Sequence, residues 1–107
     1  MSVPVSIPDL EATLADYPWG YLVSVSDVPR AHLRAVPTRF ADGVLLARVG
    51  DGTKRNVAER PKITMVFPPQ RPGGMSLIVD GDAEVRGDDV ALVPSGAVLH
   101  RHALRDG

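Results

Sequence analysis

Residues 50–61, GDGTKRNVAERP, lie between two apolar runs, VLLARV at 44–49 and KITMVF at 62–67. The simplest reading is a strand, a basic connection and another strand, and what the connection does sets the class of protein. A nucleoside triphosphate loop needs Gly, four residues, then Gly-Lys followed by Ser or Thr. Here Thr53 precedes Lys54 and the first glycine is too close, so that loop is excluded. The dinucleotide fingerprint fails as well, because Arg55 stands at the position of its third glycine and no βαβ unit surrounds it. A monophosphate is still chemically suited. Gly50 and Gly52 permit close backbone approach, and Thr53 offers a hydroxyl and can cap a helix over KRNVAER. Lys54 and Arg55 add charge to a helix N-terminus whose N–H groups are free. On these residues alone, a capped and solvated basic helix is the simpler account, and phosphate binding is the alternative.

Toward the N-terminus, Ala41-Asp42-Gly43 reads as a tight turn, since Asp-Gly tolerates the positive φ angles of two-residue hairpin loops. The run before it, AHLRAVPTRF at 31–40, alternates, with Leu33 and Ala35 on one face and His32, Arg34 and Val36 on the other. A turn at Asp27-Val28-Pro29-Arg30 joins it to the β-branched GYLVSVS at 20–26. Earlier still, PDLEATLADY at 8–17 carries Leu10, Leu14 and Tyr17 at helical spacing, with Asp9 placed to cap the first turn and Pro18 and Gly20 to stop it. Toward the C-terminus, MSLIVDGDAEVR at 75–86 reads as a long strand with a bulge or bend at Gly81. Asp88-Asp89 is expected to cap one more helical turn through Val90, Ala91 and Leu92, ended by Pro94. Roughly five or six strands with short turns and peripheral helices predict a mainly β fold, an antiparallel barrel or sandwich. One domain is expected over 1–107, with an N-terminal tail at 1–7 and a C-terminal tail at 95–107.

Composition removes several functions. With 44% hydrophobic and 23% charged residues, the chain has the balance of a globular domain. Twelve basic against thirteen acidic residues give a net charge of −1, so no overall positive field attracts nucleic acid or an anionic membrane. The absence of cysteine rules out thiolate chemistry, and His32, His100 and His102 lack zinc-type spacing, so no metal is expected. The N-terminal residues show no basic segment leading into an apolar run, and no apolar stretch is long enough to span a bilayer. A cytoplasmic protein without a membrane partner is the expectation.

The order of the elements adds what the loop alone does not. A short N-terminal helix, the hairpin RAHLRAVPTRFADGVLLARV, the segment RNVAERPKITMVF and the later SLIVDGDAEV together resemble the pyridoxamine 5′-phosphate oxidase-like family of flavin-binding split barrels. The resemblance covers about Pro8 to Arg86 and is carried chiefly by Thr53-Lys54-Arg55-Asn56-Val57 with Arg60-Pro61, and by Val79-Asp80-Gly81-Asp82-Ala83-Glu84-Val85. It implies an antiparallel split barrel that forms a homodimer and binds FMN, or in some branches a deazaflavin coenzyme, in a groove between the two chains. Carried over by position, it makes Arg34, Thr53, Lys54 and Arg55 phosphate candidates, with Asn56 bracing the loop. It also sets the flavin edge against Val36, Pro37 and Thr38 and near Ala47, Arg48 and Val49. The implied activity is an oxidoreductase transferring hydride to or from a small-molecule substrate. The competing class is a non-enzymatic module that binds flavin or haem, or a barrel with no cofactor.

No nucleophile–base pair or carboxylate dyad is visible from spacing, so no catalytic residue is assigned and any chemistry belongs to the cofactor. His32 reads as an ordinary strand histidine making a surface or half-buried hydrogen bond, with proton donation to a substrate as the alternative. His100 and His102 read as part of a polar tail. Trp19 and Tyr21 suit core packing or a dimer contact better than stacking on a cofactor. FPPQRPGG at 67–74 reads as a long connection, with a pocket-mouth loop as its functional alternative.

Overall fold

Asp42 and Gly43 both adopt positive φ, 54° and 77°, which is the two-residue hairpin geometry expected of Asp-Gly. The strands on either side of that turn are β3 (Ala31–Ala41) and β4 (Val44–Arg48), the centre of the fold in a computed structural model that describes residues 1–102. The remaining elements in chain order are β1 (Ser2–Pro4), α1 (Ile7–Leu14), β2 (Trp19–Val25), α2 (Asp51–Glu59), β5 (Lys62–Phe67), β6 (Ser76–Arg86) and β7 (Asp89–His100). All strand pairings are antiparallel, in the order β1-β7-β4-β3-β2-β5-β6, and β6 pairs in turn with β7. That last pairing closes β2 to β7 into a six-stranded barrel, which leaves those strands no open edge along the ring.

The inward residues form one apolar cluster. Leu22 of β2, Leu45 of β4, Met65 and Phe67 of β5, Leu77 and Val79 of β6 and Leu92 of β7 are all essentially inaccessible. Leu10 and Leu14 of α1, one helical turn apart, pack into the same cluster, as does Val57 of α2. Gly20 and Gly81 are small for steric reasons. A Cβ on Gly20 would lie 2.8 Å from the Phe67 ring, and one on Gly81 would lie 2.2 Å from the Val93 carbonyl oxygen. The β6–β7 register shifts at Asp80/Gly81, so the bulge expected at Gly81 is present. Pro94, which cannot donate to a ladder, is the partner of Gly81 at that irregularity.

Several expectations are corrected. Residues 88–94 do not form a helical turn. Gly87, at φ 62°, helps turn the chain into β7, and Asp89 accepts a hydrogen bond from Arg39 at 3.1 Å rather than capping a helix. Asp89, Val90, Ala91 and Leu92 pair with β6 on one side and β4 on the other, and this ladder outweighs the local capping signal. For the same reason 95–100 is not tail but the second half of β7, whereas 103–107 lie outside the described residues. Nor is 1–7 a tail, because Ser2, Val3 and Pro4 pair with His100, Leu99 and Val98, and Ile7 begins α1. Both helices also start earlier than expected. Ser6, not Asp9, is the N-cap of α1, and its hydroxyl donates to the Asp9 carboxylate at 2.9 Å. Gly50, not Thr53, is the N-cap of α2, which puts Thr53 inside its first turn. Among the described residues, no helix is long and apolar enough to cross a membrane.

Candidate functional site

Alternation along β3 puts His32, Arg34 and Val36 on the face that points toward the barrel interior and α2. Beside them run the end of β4 and the connection into α2, and the three segments enclose a cleft of about 340 Å³. His32, Arg34 and Val36 line one wall, Arg48 and Val49 a second, and Gly50, Gly52 and Thr53 the third. The third wall is the N-terminus of α2. Its first intrahelical bond runs from Lys54 N–H to Gly50 C=O at 3.1 Å, and no side chain caps the N–H groups before it. Those donors, the positive end of the helix dipole and the two arginines give the cleft an anion-attracting character.

α2 is held in register by its inner face. Thr53, Asn56 and Val57, spaced three and four residues apart, are its buried positions. The Asn56 side-chain N–H donates to the Ser24 hydroxyl of β2 at 3.1 Å, with both groups buried. At the other end, Arg60 reaches Asp27 of the β2–β3 turn at 3.0 Å. Hydrogen bonding to Glu59 and to the Arg60 guanidinium holds the Asp27 carboxyl below its ordinary range, with the charges of Arg60 and Arg55 adding.

The structure brings together Arg34, Val36, Arg48, Val49 and Thr53 from the sequence-derived set. Ala47 and Asn56 are buried behind the cleft wall. Four more residues do not line it either. Lys54 ammonium lies between the carboxylates of Asp88, at 3.3 Å, and Asp51, at 3.5 Å. Arg55 is exposed and is not among the residues that line the cleft. Pro37 pairs with Trp19 and is exposed, while Thr38 lies in a separate groove beside α1 with Glu11 and Phe40. Arg48 also approaches Asp88, at 3.6 Å, but both groups are exposed, and such a pair contributes about 0–1 kcal/mol, so Arg48 can turn to a ligand. His32, an ordinary strand histidine by sequence, also lines the cleft. The alternation that set it beside Arg34 and Val36 was the available signal.

The loop of residues 68–75 borders a second cleft of about 410 Å³ that includes Tyr17, Arg71 and Arg101. Tyr17 hydroxyl donates to the Met75 carbonyl at 2.7 Å, and burial, followed by the Asp16 charge, raises its pKa. Trp19 and Tyr21 meet edge to face at 5.3 Å, and His100 Nδ1 lies 3.0 Å from the Ser2 hydroxyl. Both fit structural roles.

No protein-family model matches the chain. The uncharacterized proteins Mb0449c of Mycobacterium bovis and MT0457 of Mycobacterium tuberculosis are each 39% identical over 119 aligned positions, covering 95% of this chain and 84% of theirs. Among solved structures, a Listeria innocua protein described as a candidate pyridoxamine 5′-phosphate oxidase superposes with a TM-score of 0.72 at 17% identity, over 87% of this chain and 96% of that one. The FAD binding protein of Mycobacterium smegmatis gives 0.67 at 19%, over 94% and 100%. An F420 reductase gives 0.64 at 17%, over 79% and 93%. The chain belongs to one family with the two mycobacterial proteins, and its fold is the split barrel of the pyridoxamine 5′-phosphate oxidase-like proteins.

Proposed function

We propose that this protein is a dimeric, cytoplasmic flavin-dependent oxidoreductase that binds FMN, or a deazaflavin coenzyme, in the cleft between β3, β4 and α2. The observation that carries the reading is the meeting of Arg34, Thr53 and the uncapped first turn of α2 in one cleft of a split barrel. The residues present fit a phosphorylated ligand. The volume of about 340 Å³ lies within the range of small-molecule sites, and Gly50 and Gly52 let the ligand approach the backbone. Arg34, Thr53 and the α2 N–H groups would hold the phosphate, and Val36, Arg48 and Val49 would meet the ring edge. Lys54 and Arg55 would contribute charge from outside the cleft rather than by contact. A bound flavin supplies hydride transfer to or from a small substrate, and the protein supplies anchoring and orientation.

Support for the dimer comes from the outer face of β2 and β3. Trp19, Tyr21, Val23 and Val25 pair directly with Pro37, Ala35, Leu33 and Ala31, so one side of this ribbon is apolar along its length. Leu33 is 49% exposed and Tyr21 39%. A continuous apolar surface of this kind marks an interaction site. The names of the FAD binding protein and the F420 reductase bring the two cofactor types to the same fold.

The test is the visible spectrum and fluorescence of the purified protein titrated with FMN and with a deazaflavin. Saturable binding of one of them is expected, followed by reduction with NADPH or a reduced deazaflavin and reoxidation by substrate. A folded protein that binds neither rejects the reading, and one that binds but never turns over is a carrier.

A further inference from the structure

The ring of His32 has no part in the function proposed above. Its residue pairs with Ser24 across β2 and β3, and its side chain lines the cleft. Its Nε2 is turned to the first turn of α2, where a Cβ added to Gly52 would lie 3.6 Å away. Its Nδ1 is buried and has no hydrogen-bond partner among the described residues. The polar groups nearest in register are engaged with each other, since Asn56 donates to Ser24 at 3.1 Å.

A histidine that serves structure has its tautomer fixed by the hydrogen bond of its second nitrogen. Here the inner nitrogen is fixed by nothing, although a buried unpaired polar atom costs stability. Of the two neutral forms, only the one with Nδ1 as the bare acceptor presents an N–H where a ligand at the start of α2 can reach it. That form carries its proton on Nε2, at the cleft wall. We infer that His32 is a ligand-contact residue whose Nε2–H donates to an oxyanion, phosphoryl or carboxylate, held at the start of α2, and that it selects such a ligand over an uncharged one. The inference rests on the reading that the cleft takes a phosphorylated ligand. Arg34 and Arg48 line the same cleft, so the donor acts beside positive charge.

The experiment compares wild type, His32→Ala and His32→Gln for binding of FMN and of riboflavin, which lacks the phosphate. Thermal melts report the folding of each variant. His32→Ala is expected to weaken FMN by about tenfold and leave riboflavin unchanged, whereas His32→Gln, which keeps an N–H near Nε2, stays within about threefold of wild type. Unchanged FMN affinity in a folded His32→Ala protein, or an equal loss for riboflavin, overturns the inference while leaving the cofactor reading standing. If wild type binds no flavin, the cofactor reading fails and a second measurement decides this one. Ring-nitrogen NMR of wild type during titration with inorganic phosphate should show a protonated Nε2 whose resonance moves. A proton found on Nδ1, or a ring that phosphate does not shift, overturns it.

Discussion

Asn56 matters because it is polar, buried and paired. Its bond to Ser24 joins α2 to β2 directly behind the cleft, so the placement of Thr53, one turn earlier, depends on it. Asn56→Ala leaves the Ser24 hydroxyl without that partner and should destabilise the fold by about 1–3 kcal/mol in urea unfolding. Combining it with Ser24→Ala should cost clearly less than the sum of the two single changes, because a pair in contact does not behave additively. Full additivity would mean that the bond does not contribute. Gly81 acts by what it omits. Gly81→Ala places a methyl group against the Val93 carbonyl and should cost about 1–3 kcal/mol or more, since the obstacle is backbone and cannot rotate away. A melt unchanged from wild type would contradict the bulge geometry.

Among the elements, α2 is tied at both ends of its buried face, and the outer tie depends on pH. The Asp27 carboxyl is held low in the folded protein, so its contribution is present above the ordinary value of about 3.9 and is lost as pH falls through the folded value. Asp27→Asn should therefore lower the melting temperature slightly at pH 7, and the gap between the two proteins should close only in acid below the ordinary carboxylate range. A gap that persists in acid would assign the effect to something other than charge. The elements also show where the sequence was readable. The Asp42-Gly43 turn, the β5 strand and the Gly81 bulge rest on local chemistry and were legible. β7 was not, because Asp88-Asp89 and Pro94 are local helix start and stop signals, while the strand is made by pairing with β6 and β4. The cleft divides in the same way. Arg34 and Thr53 follow from alternation and loop chemistry, but the turning of Lys54 toward Asp88 depends on a residue far along the chain, brought near by the β6–β7 turn.

At the scale of the whole molecule, closure of the barrel satisfies the strand edges and leaves the outer face of β2 and β3 apolar, with Tyr21 and Leu33 exposed. Leu33→Lys should shift the proposed dimer to monomer in sedimentation velocity with little change in the fold by circular dichroism. A wild type that sediments as monomer at every concentration would remove the dimer. The pairing of β1 with the end of β7 goes further than sealing a strand. Met1 and Arg101 exchange two hydrogen bonds of 2.9 Å, so the first residue and the end of the last strand are already neighbours. Over residues 1–101 the topology is thus nearly circular. A permuted gene that joins these ends with a short linker and opens the chain at the exposed Asp42-Gly43 turn should yield the same barrel.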